Sequence, residues 1–188
     1  MNSALLPLDT FLLSLGFTHR SYSDMSKDCL GNPLVSCTIA EAYCFDDIVA
    51  SFFYNDPHSI DSLLLKNDLY FIEFKRMINV RTKAQKKCLK QNLQLKLSES
   101  ALIFQKKMSE TLRLNQSQFK KIAVIVVDHS TMPVTAMAGA MASLSGSPLQ
   151  DDNFLYHFHP DRSGNHVFYD DLHVWNDINF NSQISSIR

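Results

Sequence analysis

The chain has 188 residues and a formal net charge of −1, a length that suits one domain with its own hydrophobic core. No apolar run approaches the roughly 20 residues of a membrane-spanning helix, and the N-terminus carries Asp9 and lacks a basic stretch, which argues against a secretory signal. The four cysteines lack CxxC spacing, so we expect reduced thiols and an intracellular, cytoplasmic protein without membrane attachment.

The first third of the chain predicts an extension followed by a helix. Residues 1–37 form the N-terminal extension, with a short helix within 1–19 and a polar loop that turns at Gly-Asn-Pro. A helix is predicted from residue 38 or 39 to 54, because Asn-Asp-Pro at 55–57 ends it.

The remainder predicts alternating strands and helices. After a hairpin at 59–75, the elements in chain order are a long helix (83–114), a buried strand (Phe119–Val127), a Met-rich helix (131–147) and two strands (Phe154–His159 and His166–Trp175). We therefore expect one α/β domain over 1–188, with a central mixed sheet flanked by helices, a core at about 38–130 and a C-terminal part at 131–188. The long helix predicts a crossover to a parallel strand.

The hairpin carries charges among apolar residues, which is costly unless they are paired or bind a metal. Alternation places Glu73 and Lys75 on one face of the second strand. A three-residue turn makes Leu65 face Leu69 and Asp61 face Glu73, whereas a two-residue turn puts Asp61 on the wrong face. The functional interpretation therefore requires the three-residue turn or a bulge.

Asp61 and the element Glu73-Phe74-Lys75 resemble the PD-(D/E)xK nuclease superfamily, whose core has an Asp on one strand and (D/E)xK on the next. The resemblance covers roughly residues 38–130, and Ile60 replaces the proline that usually precedes the Asp. It implies a restriction-endonuclease-like core and a Mg²⁺-dependent endonuclease or exonuclease, with Mn²⁺ as an alternative ion.

The same resemblance implies a role for each residue of the motif. Asp61 and Glu73 would be metal ligands, joined by the backbone carbonyl of Phe74. Lys75 would orient the attacking water or neutralise charge on the phosphate.

Two further residues are candidates for the same site. Glu41 falls on the apolar stripe of the helix predicted over 38–54, and many members of the superfamily place an acid from this helix in the site. The alternative explanation is that Glu41 stabilises the start of the helix through the helix dipole. If the helix is rotated, Asp47 takes the place of Glu41 as the candidate. Lys96 lies within the apolar stripe of the long helix, so it either points toward the carboxylates or the phosphate or extends to solvent at the stripe edge.

Positive charge is concentrated around the motif. Residues 66–121 contain fourteen of the eighteen Lys and Arg residues and only four acids. This distribution fits a polyanionic partner, namely DNA with RNA as an alternative, and it also fits an ordinary solvated helix face. Lys83 and Lys87 are the candidate phosphate contacts beside Lys96. Sequence specificity would then come from loops, a homodimer or a larger complex.

Two other functions stay open. A catalytically inactive protein of the same fold would have a regulatory or assembly role. A transition-metal enzyme would use His157 and His159, which alternation places on one strand face.

Overall fold

A computed structural model describes residues 1–54, 57–76, 82–128 and 168–187 of the chain. These residues form a six-stranded mixed sheet with helices packed against both faces. The strands follow one another across the sheet in chain order: β1 (His19–Ser21), β2 (Ala40–Cys44), β3 (Ser62–Leu65), β4 (Leu69–Lys75), β5 (Lys121–Val127) and β6 (Asp171–Asn176).

The first four strands are antiparallel neighbours, and β4, β5 and β6 run parallel. The helices are α1 (Leu6–Ser14), α2 (Tyr22–Met25), α3 (Phe45–Phe52), α4 (Lys83–Ile103), α5 (Glu110–Leu112) and α6 (Phe180–Ser186). Three short turns complete the set: 3₁₀ turns at Ser3–Leu5 and Gln116–Gln118, and a π-helical segment at Phe104–Ser109. No helix in the described ranges combines the length and apolar character needed to cross a bilayer.

Each face of the sheet has its own hydrophobic core. On the face covered by α1, α3 and α4, the Phe71 ring makes edge contacts with Phe45, Phe104 and Tyr169. The opposite face packs against α2 and α6, where Tyr22 contacts Phe180. Burial on both faces explains why β3, β4 and β5 are almost continuously apolar, and why a charged side chain in β4 stands out.

The central part of the predicted fold is confirmed. The chain is α/β with a mixed sheet, α4 joins two parallel strands, and β5 lies within the predicted strand Phe119–Val127. Helix α4 begins with a capping box: the Thr82 hydroxyl accepts a hydrogen bond from the Gln85 N–H, and the Gln85 side chain accepts one from the Thr82 N–H. Together with the π-helical segment and α5, α4 covers nearly the whole of the predicted helix 83–114.

The predicted helix at 38–54 is wrong over its first half. Residues Ala40–Cys44 form β2, because pairing with β3 buries Ala42 and Tyr43, and the helix starts only at Phe45. The segment predicted as a polar loop likewise contributes α2 and the end of β1. The last predicted strand is found as β6, whereas the Met-rich helix 131–147 and the strand Phe154–His159 lie outside the described residues.

Candidate metal and phosphate site

The β3–β4 hairpin has the three-residue turn that the functional interpretation requires. Leu65 pairs with Leu69 and Ser62 pairs with Ile72, and the Lys66 N–H donates to the Asp68 carbonyl across the turn at 3.1 Å. Continuing this register by one residue places Asp61 opposite Glu73. The condition that the functional interpretation set on the turn is therefore met.

The two strands separate immediately beyond this register. The Lys75 carbonyl accepts from Asp128 beside β5, so the backbone groups of Phe74, one residue earlier, point to the opposite edge, toward β3. Regular pairing would connect Phe74 with Ile60. Instead, the Phe74 N–H donates to Asp61 Oδ2 at 2.6 Å, and the Ile60 N–H donates to the Ser100 hydroxyl at 2.9 Å.

This exchange fixes the Asp61 side chain at the edge of β4. A carboxylate oxygen takes the position of a backbone acceptor, and the carbonyl of Phe74 points to the same edge. The carboxylate and that carbonyl therefore lie on one side of the strand end.

Glu73 lies beneath α4, with only 1% of its surface exposed. The Lys96 ammonium reaches down from α4 and donates to Glu73 Oε2 at 2.9 Å, and it lies 3.4 Å from Asp61 Oδ1. The Lys75 ammonium is 3.9 Å from Glu73 Oε1. Oε1 lies 2.9 Å from the Lys96 ammonium and 3.9 Å from the Lys75 ammonium, so both cations balance its charge.

The carboxylates strongly influence one another. Burial, followed by repulsion from Asp61, raises the pKa of Glu73 to about 8, although Lys96 acts in the opposite direction. Burial also raises the pKa of Asp61, opposed by Lys96 and by the Phe74 N–H. For Lys96, burial acts to lower the pKa, but the two carboxylates outweigh it and hold the pKa above its ordinary value. The site therefore favours the entry of positive charge or of a proton.

Helix α4 and helix α3 position the segment that carries Asp61. The His58 N–H donates to the carboxylate of Glu99 at 2.7 Å. Glu99 precedes Ser100 on α4, so two consecutive residues of this helix hold the segment. Ser59 is tied by its hydroxyl to Asp46 in the first turn of α3. Asp46 also lies close enough for its charge to help raise the pKa of Lys96.

Sequence reasoning missed Asp46, Glu99 and Ser100. The signal for Asp46 was the acidic pair at positions 46 and 47, since acids are enriched in the first turn of a helix and mark a start at Phe45. No sequence signal identifies Glu99 or Ser100, because their partners are backbone groups of a distant segment.

The structure brings together Asp61, Glu73, Lys75 and Lys96, but not the other candidates. Glu41 lies on β2 near the turn end of the hairpin, where it pairs with Lys66 at 3.1 Å. The prediction that Glu41 lies on a helix is wrong, because pairing with β3 makes residues Ala40–Cys44 a strand. The same pairing puts Glu41 beside Leu65 rather than beside Asp61.

The remaining candidates are distributed over the surface or outside the described part. Asp47 pairs with Arg20 at 2.5 Å. Lys87 is exposed on α4, more than two helical turns before Lys96. The Lys83 side chain and both His157 and His159 lie outside the described residues.

The donor set fits a hard divalent cation. Asp61 and Glu73 offer carboxylate oxygens, and Phe74 offers a carbonyl at the same strand end. Within the described ranges, no cluster of three or more His, Cys, Asp or Glu side chains converges on one point. Carboxylate and carbonyl oxygens are the ligands that Mg²⁺ and Mn²⁺ prefer, and both ions can complete their oxygen shell with water and substrate phosphate.

No family model, curated protein or solved structure matches this chain.

Proposed function

We propose that the protein is a nuclease of the restriction-endonuclease-like fold that hydrolyses DNA phosphodiester bonds with Mg²⁺ or Mn²⁺. The observation that carries this proposal is the nearly inaccessible Glu73 beside Asp61, with the ammonium groups of Lys75 and Lys96 within ion-pair distance. The order of elements supports it. After α1, β1 and α2, the antiparallel strands β2, β3 and β4 follow one another with α3 between β2 and β3. The crossover helix α4 then leads to the parallel strand β5, an order compatible with the proposed core.

Asp61, Glu73 and the Phe74 carbonyl would hold the ion. When bound, a divalent cation would polarise the scissile phosphate and favour ionisation of a water molecule. Lys75 projects from the same strand face as Glu73, and its side chain is 30% exposed, so its ammonium can meet an incoming phosphate while remaining near the carboxylates. That position suits orientation of the attacking water and neutralisation of charge that develops on the phosphate.

DNA is the proposed substrate because the basic segment 66–121 surrounds the site in sequence and includes α4, the helix that covers Glu73. A surplus of lysines supplies phosphate contacts that position a strand without reading its sequence. RNA stays open on the same grounds. Sequence specificity would come from a homodimer, a larger complex or loops.

The test is cleavage of plasmid, single-stranded DNA and RNA by purified protein in Mg²⁺, Mn²⁺ or EDTA. We expect metal-dependent cleavage that is lost in Asp61→Asn and Lys75→Ala, each by roughly a hundredfold or more. Lys27→Ala is the matched control, because Lys27 pairs with Asp24 on the surface, lies outside the basic segment and should leave cleavage unchanged. Folded wild-type protein that neither cleaves nor binds a divalent ion would contradict the proposal.

A second candidate is a catalytically inactive protein of this fold with a regulatory or assembly role. The observation that favours it is the Lys96 ammonium, which already neutralises part of the carboxylate charge without a metal. Titration calorimetry separates the two candidates, since an inactive protein stabilised by this ion pair should bind neither Mg²⁺ nor Mn²⁺.

The His157/His159 transition-metal enzyme stays a prediction of the sequence. Double substitution of both histidines by alanine, with metal content and activity measured before and after, tests it directly. Unchanged metal content and activity would rule it out.

A further inference from the structure

Lys96 lies where a cation between the two carboxylates would lie. Its ammonium is 2.9 Å from Glu73 and 3.4 Å from Asp61, the two side chains proposed as metal ligands. We infer that Lys96 is a built-in competitor of the metal: the divalent ion and the Lys96 ammonium are alternative occupants of the carboxylate pair, and loading the ion displaces the ammonium. This inference rests on the proposed metal site and concerns its affinity and occupancy.

The first argument is charge. Asp61 and Glu73, when ionised, are balanced by the ammonium groups of Lys96 and Lys75. A divalent cation added to this set would leave two uncompensated positive charges in a place where Glu73 is 1% exposed and water screens poorly. Removal of the Lys96 ammonium from the carboxylates relieves most of that repulsion.

The second argument is freedom of movement. The Lys96 side chain is 25% exposed, so its flexible stem has a route to solvent without a shift of the helix. The backbone of α4 is meanwhile fixed to the Asp61 segment through Glu99 and Ser100. Displacement therefore requires only rotation of one side chain, and the carboxylates stay in place to receive the ion.

Lys96 interacts more closely with the Glu73 carboxylate than Lys75 does. Lys75 stands on β4 and approaches Glu73 at 3.9 Å, outside hydrogen-bond distance, whereas Lys96 donates a hydrogen bond to the same carboxylate. Removal of the Lys96 charge should therefore change metal affinity more than removal of the Lys75 charge.

The experiment is Mn²⁺ binding by titration calorimetry to metal-free full-length protein. We expect Lys96→Met to bind Mn²⁺ roughly tenfold to a hundredfold tighter than wild type, the range of coupling usual between interacting sites. Lys75→Met should gain less. Lys106→Met is the matched control. Lys106 lies about ten residues beyond Lys96 and pairs with Glu110 on the surface, so this variant should bind Mn²⁺ as wild type does.

Stability provides a second readout. Without metal, Lys96→Met leaves the buried Glu73 and the partly buried Asp61 without their closest counter-charge, so the melting temperature should fall. Mn²⁺ should then raise the melting temperature of the variant by more than it raises that of wild type. Lys96→Gln, which keeps a hydrogen-bond donor without the charge, decides the question if the methionine variant does not fold.

Each result has a defined meaning. Wild-type protein that binds Mn²⁺ while the charge-removed variant binds no tighter would overturn the inference and leave the proposed metal site standing. A gain in affinity that persists in Asp61→Asn/Lys96→Met would also overturn it, because the ion would then bind elsewhere. Absence of Mn²⁺ binding in wild type and in every variant would overturn both the inference and the proposed metal site.

Discussion

Replacement of Glu73 by glutamine should change how stability depends on pH. The substitution keeps the size of the side chain and removes its ionisation. In the folded protein, burial and the Asp61 carboxylate raise the pKa of Glu73 from 4.5 to about 8. The folded state therefore binds a proton more tightly than the unfolded state does, and stability must fall as the pH rises between those two values.

The size of the effect follows from the shift. One pKa unit corresponds to about 1.4 kcal/mol, so a shift of this size corresponds to about 5 kcal/mol, an upper value because Lys96 and Asp61 readjust when Glu73 ionises. The Asp61 pKa is also raised, so its ionisation changes stability in the same direction. The raised pKa of Lys96 gives stability that is present below the ordinary lysine pKa and is lost only at more alkaline pH, outside this window.

The assay is urea unfolding in EDTA at constant ionic strength, from pH 5 to pH 8.5. Wild-type protein should lose about 2–5 kcal/mol of unfolding free energy across this range, and Glu73→Gln should lose markedly less. Glu110→Gln is the matched control: this surface carboxylate has a lowered pKa because of Lys106, so it is already ionised throughout the window and its removal should leave the slope unchanged.

Two results would refute this reasoning. One is a wild-type stability that stays flat or rises over the window. The other is an equally steep fall in Glu73→Gln, which would assign the titration to another group. Repetition of the series in Mn²⁺ then tests the metal site, because an ion bound to the ionised carboxylates should reverse the fall above pH 7.

Ser100→Ala should cost about 1–3 kcal/mol of unfolding free energy, because it leaves the buried Ile60 N–H without its acceptor. Urea unfolding measures the loss. Ser98→Ala is the control and should cost clearly less, because the Ser98 hydroxyl bonds only within its own helix. Equal losses in the two serine variants would contradict the assigned contact. Glu41→Gln should change Mn²⁺ affinity by no more than about twofold, because Glu41 forms an ion pair with Lys66 at the other end of the hairpin. Titration calorimetry measures the affinity, and a larger loss would show that Glu41 contributes to the metal site.

The hairpin could be predicted from the sequence because its determinants are local. Alternation fixes which side chains share a face, but the sequence left the turn length open between two and three residues, and the observed pairing of Leu65 with Leu69 decides for three. The sequence could not show that the strands separate just beyond this register. The Phe74 N–H takes the Asp61 side chain, just before β3, in place of the Ile60 carbonyl, and the Ile60 N–H takes the Ser100 hydroxyl on α4.

The helix before the hairpin was predicted with the wrong start because two signals compete there. Apolar spacing favours a helix through residues 40–44, whereas pairing with β3 stabilises a strand, and a distant partner decides the outcome. The consequence for the site is large. A helix that begins at Phe45 places Asp46, not Glu41, beside the segment that carries Asp61.

A charged cluster in this sheet is costly, and its position points to binding rather than to stability. A buried ion pair seldom stabilises a fold better than apolar residues of the same volume, and the rest of β4 shows that this sheet accommodates Phe and Ile readily. Stability alone would therefore be served as well by an apolar residue in place of Glu73. The cluster lies instead at a strand end, beside two lysines that are 25% and 30% exposed and can meet a ligand from solvent. A nearly inaccessible glutamate next to cations that reach the surface is the arrangement expected at a ligand-binding site, and it supports the proposed metal site.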